Sequence, residues 1–207
     1  MAQYFHIHPD NPQMRHIHHA SEMLRDGAVI VYPTDTGYAL GCHIGDKNAL
    51  ERICRIRRLD DKHHFTLLCR DLTEVSTYAR FDTPVYRLLK AHTPGAYTFL
   101  LRATREVPRR LMHPKKKTIG LRIPGSAIAL ALLEALNEPM MTTTLIMPGE
   151  EDALQDPELI RDRLQKQVDL VIDGGHGGLI PTTLIDLTAD LPVVIREGLG
   201  EKEPFLV

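Results

Sequence analysis

The run from Val29 to Cys42, Val-Ile-Val-Tyr-Pro-Thr-Asp-Thr-Gly-Tyr-Ala-Leu-Gly-Cys, constrains this chain more than any other stretch. A β-branched apolar piece, Ala28 to Tyr32, meets Pro33 and then the polar Thr34-Asp35-Thr36-Gly37. A second apolar piece follows from Tyr38 to Ile44. The pattern predicts a buried strand, a turn at its end and a return into the core. Hydroxyls and a carboxylate then stand where the strand leaves the core, which is where open α/β sheets hold ligands. An ordinary turn, with Asp35 and Thr36 capping backbone amides, explains the same residues equally well.

The rest of the chain repeats that rhythm. Asn11 and Pro12 suit the cap and first turn of a helix to about Asp26, with Ile17, Ala20 and Leu24 on one face. Asp46 can cap a helix whose apolar face is Ala49, Leu50, Ile53 and Ile56, and Asp71 with Glu74 makes a capping-box start. Further helices are predicted over 84–92, from Ser126 to about 136, and from Asp156-Pro157 to about 166. Between them lie strand candidates at 4–7, 65–69, 97–101, 119–124, 140–147, 168–173, 183–187 and 193–196. This alternation predicts an α/β architecture with a twisted, open sheet. No linker or repeat divides the 207 residues, so they read as one domain with ample core.

Several function classes are argued against by composition. A formal net charge of −2 gives no global attraction to nucleic acid or anionic membrane. No apolar run approaches a membrane span, and no signal-peptide layout opens the chain, so a cytoplasmic, soluble protein is expected. The three cysteines are widely spaced, which suggests neither a disulfide framework nor a zinc site. His6 and His8 would share a strand face, and His16 and His19 would be helix neighbours, but no third ligand type stands nearby. They read as a solvated polar face. Neither a nucleophile elbow nor a His-Glu-x-x-His helix occurs, and no nucleophile sits beside an evident base. Catalytic residues are therefore unassigned.

Charge clusters point elsewhere. Arg55, Arg57, Arg58 and Lys62 close the helix opened by Asp46; they suit the helix dipole, and guanidinium forks also suit a polyphosphate. Lys115 to Lys117 reads as a solvated loop. The Gly174-Gly175-His176-Gly177-Gly178 loop leads to Thr182-Thr183 and could nest an anion, although it is no Walker loop.

In chain order come Tyr32-Pro-Thr-Asp-Thr-Gly-Tyr-Ala-Leu-Gly41, Arg58 followed by Asp61-Lys62, Pro94-Gly95-Ala-Tyr-Thr98, Thr118-Ile-Gly-Leu-Arg-Ile-Pro124, Pro181-Thr-Thr-Leu-Ile-Asp186 and Ile195-Arg-Glu-Gly198. Together they resemble the YrdC/YciO family, whose best-known members are threonylcarbamoyl-AMP synthases. His63-His64-Phe65-Thr66-Leu67 is similar to the YciO branch. The resemblance implies a YrdC-like domain with a basic concave face. It implies synthesis of threonylcarbamoyl-adenylate from threonine, bicarbonate and ATP with Mg2+, for t6A modification of tRNA. Double-stranded RNA or tRNA is implied as a partner. By resemblance, Thr34, Arg122, Thr142 and Thr182 would surround threonine, and Arg58, Lys62, Thr118, Thr144 and Arg196 would hold ATP. Five positions depart from the family pattern: Ile56 replaces a lysine, Leu67 a histidine and Ile146 an asparagine, and Gly37 and Ala39 soften the usual Thr-Val-Tyr-Gly-Leu. Alternatives of the same fold are an ATP-dependent enzyme acting on another amine or carbamoyl substrate, and a non-catalytic double-stranded RNA-binding protein.

Overall fold

The computed structural model describes residues 1–60, 63 and 65–206, and among them eleven strands join one sheet. The first half runs β1 (Gln3–His6), α1 (Met14–Arg25), β2 (Ile30–Pro33), β3 (Tyr38–His43), α2 (Lys47–Arg57), β4 (Thr66–Leu68), α3 (Leu72–Tyr78), β5 (Ala79–Arg80) and α4 (Thr83–His92). The second runs β6 (Tyr97–Ala103), β7 (Thr118–Arg122), α5 (Ala127–Leu136), β8 (Met140–Thr144), α6 (Pro157–Leu164), β9 (Leu170–Asp173), β10 (Thr183–Asp186) and β11 (Val193–Arg196). A 3-10 turn, Glu203–Phe205, follows. Across the sheet the order is β1-β9-β2-β3-β8-β4-β7-β6-β10-β11, with the short β5 pairing β6. Parallel and antiparallel neighbours are mixed: β9 lies parallel to both β1 and β2, whereas β2, β3, β8 and β4 pair antiparallel in succession.

Side-chain alternation divides the core into two layers. On one face Val29, Val31, Leu40, Leu67, Phe99, Leu121 and Met141 pack with Ile53 and Ile56 of α2, Val75 of α3, Leu89 of α4 and Ile160 of α6. On the other, Ile30, Tyr32, Leu68, Met140, Leu170 and Ile172 pack under Ile17, Ala20 and Leu24 of α1 and Ile128, Leu132 and Leu136 of α5. Each large aliphatic side chain so buried contributes roughly 1.5–3 kcal/mol. Helices α1 and α5 do not reach across this second face. Beyond them lies an open, cation-bearing region lined mainly by threonines, with Leu100 and Leu184 among them.

Helix starts follow the cap chemistry in most cases. Asp46, Asp71, Asp82, Ser126 and Asp156 each accept from a backbone N–H of the first turn. The box at α3 is offset: Glu74 N donates to Asp71 Oδ1 at 2.8 Å, but Glu74 Oε2 accepts from Arg70 N at 2.7 Å, one residue before the cap. The first helix corrects the sequence reading. Its cap is Gln13, without a side-chain bond, because Asn11 belongs to a turn organised by His8, whose Nδ1 accepts from Asp10 N and Asn11 N at 3.2 Å each. His8 thus lies beyond β1 and shares no strand face with His6, which pairs with Asp173 at 2.7 Å. The rings of His16 and His19 lie against Phe5, at 4.9 and 5.3 Å. Among the described residues no group of three His, Cys, Asp or Glu is placed to hold a metal ion, and no helix is long and apolar enough to cross a membrane.

Candidate functional site

The turn after β2 is tied into itself. Thr34 N and Thr34 Oγ1 both donate to the Gly37 carbonyl, at 2.8 and 2.7 Å, and Thr36 N donates to Thr34 Oγ1 at 3.2 Å. Gly37 has φ 146°, and a Cβ there would lie 2.7 Å from the Gly178 carbonyl oxygen, so only glycine fits. The glycine loop is what presses on this turn. Its amides are engaged within the protein: Gly174 N donates to Tyr38 Oη at 3.2 Å, Gly175 N to Asp173 Oδ1 at 2.9 Å and Gly177 N to the Gln155 carbonyl at 3.0 Å. The loop buttresses the turn, and those three amides do not form an anion nest.

Next to the turn lies a cavity of about 330 Å³ in the open half of the sheet face. Its wall is rich in hydroxyls: Thr98 of β6 and Thr142, Thr143 and Thr144 of β8, with Thr66 of β4 between β8 and β7. Arg122 projects from the end of β7 and Arg196 from the end of β11. Thr98 and Thr182 share a buried hydroxyl–hydroxyl bond of 2.8 Å, although 84 residues separate them. Tyr32, fully buried under α5, reaches Thr142 Oγ1 at 2.6 Å and fixes that hydroxyl from the core side.

The two guanidiniums are held differently. Arg122 is buried; its Nη2 donates to the Asp35 carboxylate and to Thr36 Oγ1 at 3.2 Å, while its Nε has no partner among the described residues. Arg196 donates through Nε and Nη2 to the Thr182 carbonyl, at 3.2 and 2.9 Å, and desolvation lowers its pKa. The chain beyond Arg196 locks that geometry. Leu199 N donates to the Pro181 carbonyl at 2.8 Å, Gly198 N to Thr183 Oγ1 at 3.0 Å, and a Cβ on Gly198 would collide with the Pro181 carbonyl.

The structure therefore brings Thr34, Arg122, Thr142, Thr144, Thr182 and Arg196 together around one cavity. Thr118, four residues before Arg122 on the same strand face, lines a neighbouring hollow instead. Arg58 is the exposed, left-handed C-cap of α2 (φ 51°) and is not in the cavity wall. Lys62 lies outside the described residues. The departures from the family pattern also find their places. Ile56 and Leu67 are buried in the opposite core layer, Ile146 pairs with Ala153 beyond the end of β8 and Gly37 closes the turn, so none of these four lines the cavity, whereas Ala39 does. Thr36, Thr66 and His63 also line it: Thr36 belongs to the turn whose hydroxyls the sequence put at a ligand position, whereas His63 and Thr66 stood in a family-like run with no ligand assigned to them.

Tyr32 offers a pH test of this packing. Burial pushes its hydroxyl up to about 12. A folded pKa above the unfolded value of roughly 10 gives stability that is complete below pH 10 and lost as the pH rises toward 12. Denaturation followed across that window should show a decline that Tyr32→Phe reduces by about 2–3 kcal/mol. A decline identical in the variant would mean that Tyr32 ionises freely in the fold.

A wall of hydroxyls with two arginines and no lining carboxylate among the described residues suits a small polar anion, such as an amino acid or a phosphorylated compound. A family model covering Sua5, YciO and YrdC, described as telomere recombination, matches residues 22–198. The chain is 63% identical over 206 residues to the "Uncharacterized protein YciO" of Escherichia coli (strain K12), covering all of both chains, and the crystal structure of E. coli YciO superposes with a TM-score of 0.96. It is 30% identical over 181 residues to a threonylcarbamoyl-AMP synthase of Chromobacterium violaceum, covering 86% of this chain and 92% of that one. The structure of Pyrococcus abyssi Sua5 complexed with L-threonine matches at 25% identity and a TM-score of 0.86, over 94% of this chain and 57% of the longer Sua5. With a family model matching most of its length and a full-length relative at 63% identity, the chain belongs to the Sua5/YciO/YrdC family.

Proposed function

We propose that this protein binds threonine in the cavity and converts threonine, bicarbonate and ATP into threonylcarbamoyl-adenylate and pyrophosphate. The observation that supports this most is the convergence of Thr34, Thr142 and Thr182 around the buried Arg122. The substrate carboxylate would take the guanidinium fork of Arg122, displacing Asp35, while the neighbouring hydroxyls orient the amine and side chain. The threonine amine adds to bicarbonate with loss of water, giving a carbamate. A carbamate oxygen then forms a bond to the α-phosphorus, and the bond to the bridging oxygen breaks to release pyrophosphate. Thr144 of β8 and Arg196 of β11 also line the cavity, and in this reading they face the nucleotide, with Arg196 offsetting its charge. With no carboxylate among the described residues of the wall, magnesium would arrive on the ATP phosphates and not in a protein-built cage.

Pyrophosphate release by the purified protein, with each substrate omitted in turn, tests this reading. Release should require both threonine and bicarbonate and fall about 10- to 100-fold in Thr34→Ala. Because Thr34 Oγ1 also ties the turn, Thr34→Ser serves as the control that keeps the hydroxyl. Release indifferent to threonine would transfer the site to another amine.

A further inference from the structure

We propose that His63 is the proton acceptor of the cavity and frees the amine of the bound amino acid for attack on bicarbonate. This role belongs to the reaction proposed above and rests on it. An α-amine is an ammonium near neutral pH, whereas a carbamate forms from the neutral amine. One proton must therefore leave the substrate nitrogen before the carbon–nitrogen bond can form.

The chemistry of the wall leaves one group for that task. Arg122 and Arg196 stay charged and offer no lone pair, and threonine hydroxyls are not bases near neutrality. Tyr38 is committed elsewhere. Its Oη donates to the Gly175 carbonyl at 2.7 Å and accepts from Gly174 N at 3.2 Å, and burial pushes the phenol up to about 12. Asp35 accepts from Arg122, and a carboxylate pairs with an ammonium without taking its proton at neutral pH. Among the described lining residues, only His63 carries a side chain of the type that exchanges a proton between about pH 5 and 8.

The imidazole is also held in place. Its Nε2 lies 3.4 Å from Thr143 Oγ1, its ring meets the Phe65 ring edge-on at 5.1 Å, and the His63 backbone N donates to the Asp60 carbonyl at 3.1 Å. Thr143 and Phe65 are each 8% exposed, so both ring contacts come from packed side chains. Thr143 stands between Thr142 and Thr144 on β8, and all three border the cavity, which sets the imidazole near hydroxyls assigned to the amino acid. A base oriented by a neighbouring group is the arrangement that general-base sites use. In the step itself, His63 takes one ammonium proton and the freed lone pair bonds to the bicarbonate carbon. The C–OH bond breaks, and the hydroxide leaves as water with the second nitrogen proton. The imidazolium then returns its proton to solvent.

The pH dependence of pyrophosphate release by the full chain tests this role. It is read as kcat/KM for threonine, with ATP saturating and the bicarbonate ion held at constant concentration. The wild-type profile should rise through about pH 6–7, where an imidazole titrates, and then level. His63→Gln keeps a polar group for Thr143 and should be about 100-fold slower near neutral pH. Its profile should go on rising until the threonine amine itself loses its proton. Added imidazole should restore part of the rate in proportion to its neutral form, which a defect of folding would not allow. Threonine-dependent release in the wild type, with the same profile in His63→Gln, overturns the role of His63 and leaves the reaction standing. Release indifferent to threonine in the wild type overturns both.

Discussion

Arg122→Ala is expected to abolish threonine binding and to destabilise the fold by about 3–5 kcal/mol, because it leaves a largely buried carboxylate without its partner. The side chains of Arg122 and Asp35 are 9% and 19% exposed, so solvent screens the pair little. The two effects separate in the double variant. Arg122→Ala with Asp35→Ala removes both charges and should recover most of the lost stability in urea denaturation, while threonine binding stays absent. Arg122→Lys should keep part of the stability but lose the bidentate fork, so threonine would bind weakly. A cost below about 1 kcal/mol for the single variant would mean that the pair behaves like a surface ion pair. In that case Asp35 would not be the group that a substrate carboxylate displaces.

The second large effect concerns a tempting repair. The family pattern has a lysine where this chain has Ile56, and Ile56→Lys looks like a restoration of nucleotide contacts. Its position says otherwise: Ile56 packs with Ile53 and Leu67 in the core layer on the far side of the sheet from the cavity. An ammonium placed there is desolvated and unpaired, which costs several kcal/mol. Ile56→Lys should therefore unfold at a much lower denaturant midpoint and gain no ATP affinity. A stable variant with tighter ATP binding would show that α2 can rotate its last turn toward the cavity.

That example shows what was legible in the sequence. The apolar face Ala49, Leu50, Ile53, Ile56 correctly described α2 by periodicity, yet residue 56 was also read as a departure at the site, and the structure puts it in the core. Cap residues were readable because their bonds are local: Asp46 to Ala49 spans three residues. Asn11 was misread because His8 competes for the same turn, and a side chain's choice of backbone partner leaves no periodic trace. The cavity itself was only partly legible. Thr34 and Arg122 stood out as motif residues, yet Thr98 meets Thr182 only through the parallel pairing of β6 and β10. Whether a strand face meets a helix or solvent was also hidden. Thr118 and Arg122 share a face, and nothing in their spacing separates the hollow of one from the cavity of the other.

The insertion of β9 between β1 and β2 sets the order in which this protein can be completed during synthesis. Strands β2 and β3 emerge early and can pair with each other, and β3 and β4 later flank β8, but among the described residues β1 has no sheet neighbour except β9. Residues 3–6 must wait for residues 170–173, so the N-terminal strand stays unpaired until most of the chain has left the ribosome. The nascent protein thus carries an open sheet edge at β2 through most of its translation. Chaperone demand should accordingly be highest late in elongation and drop once β9 has docked.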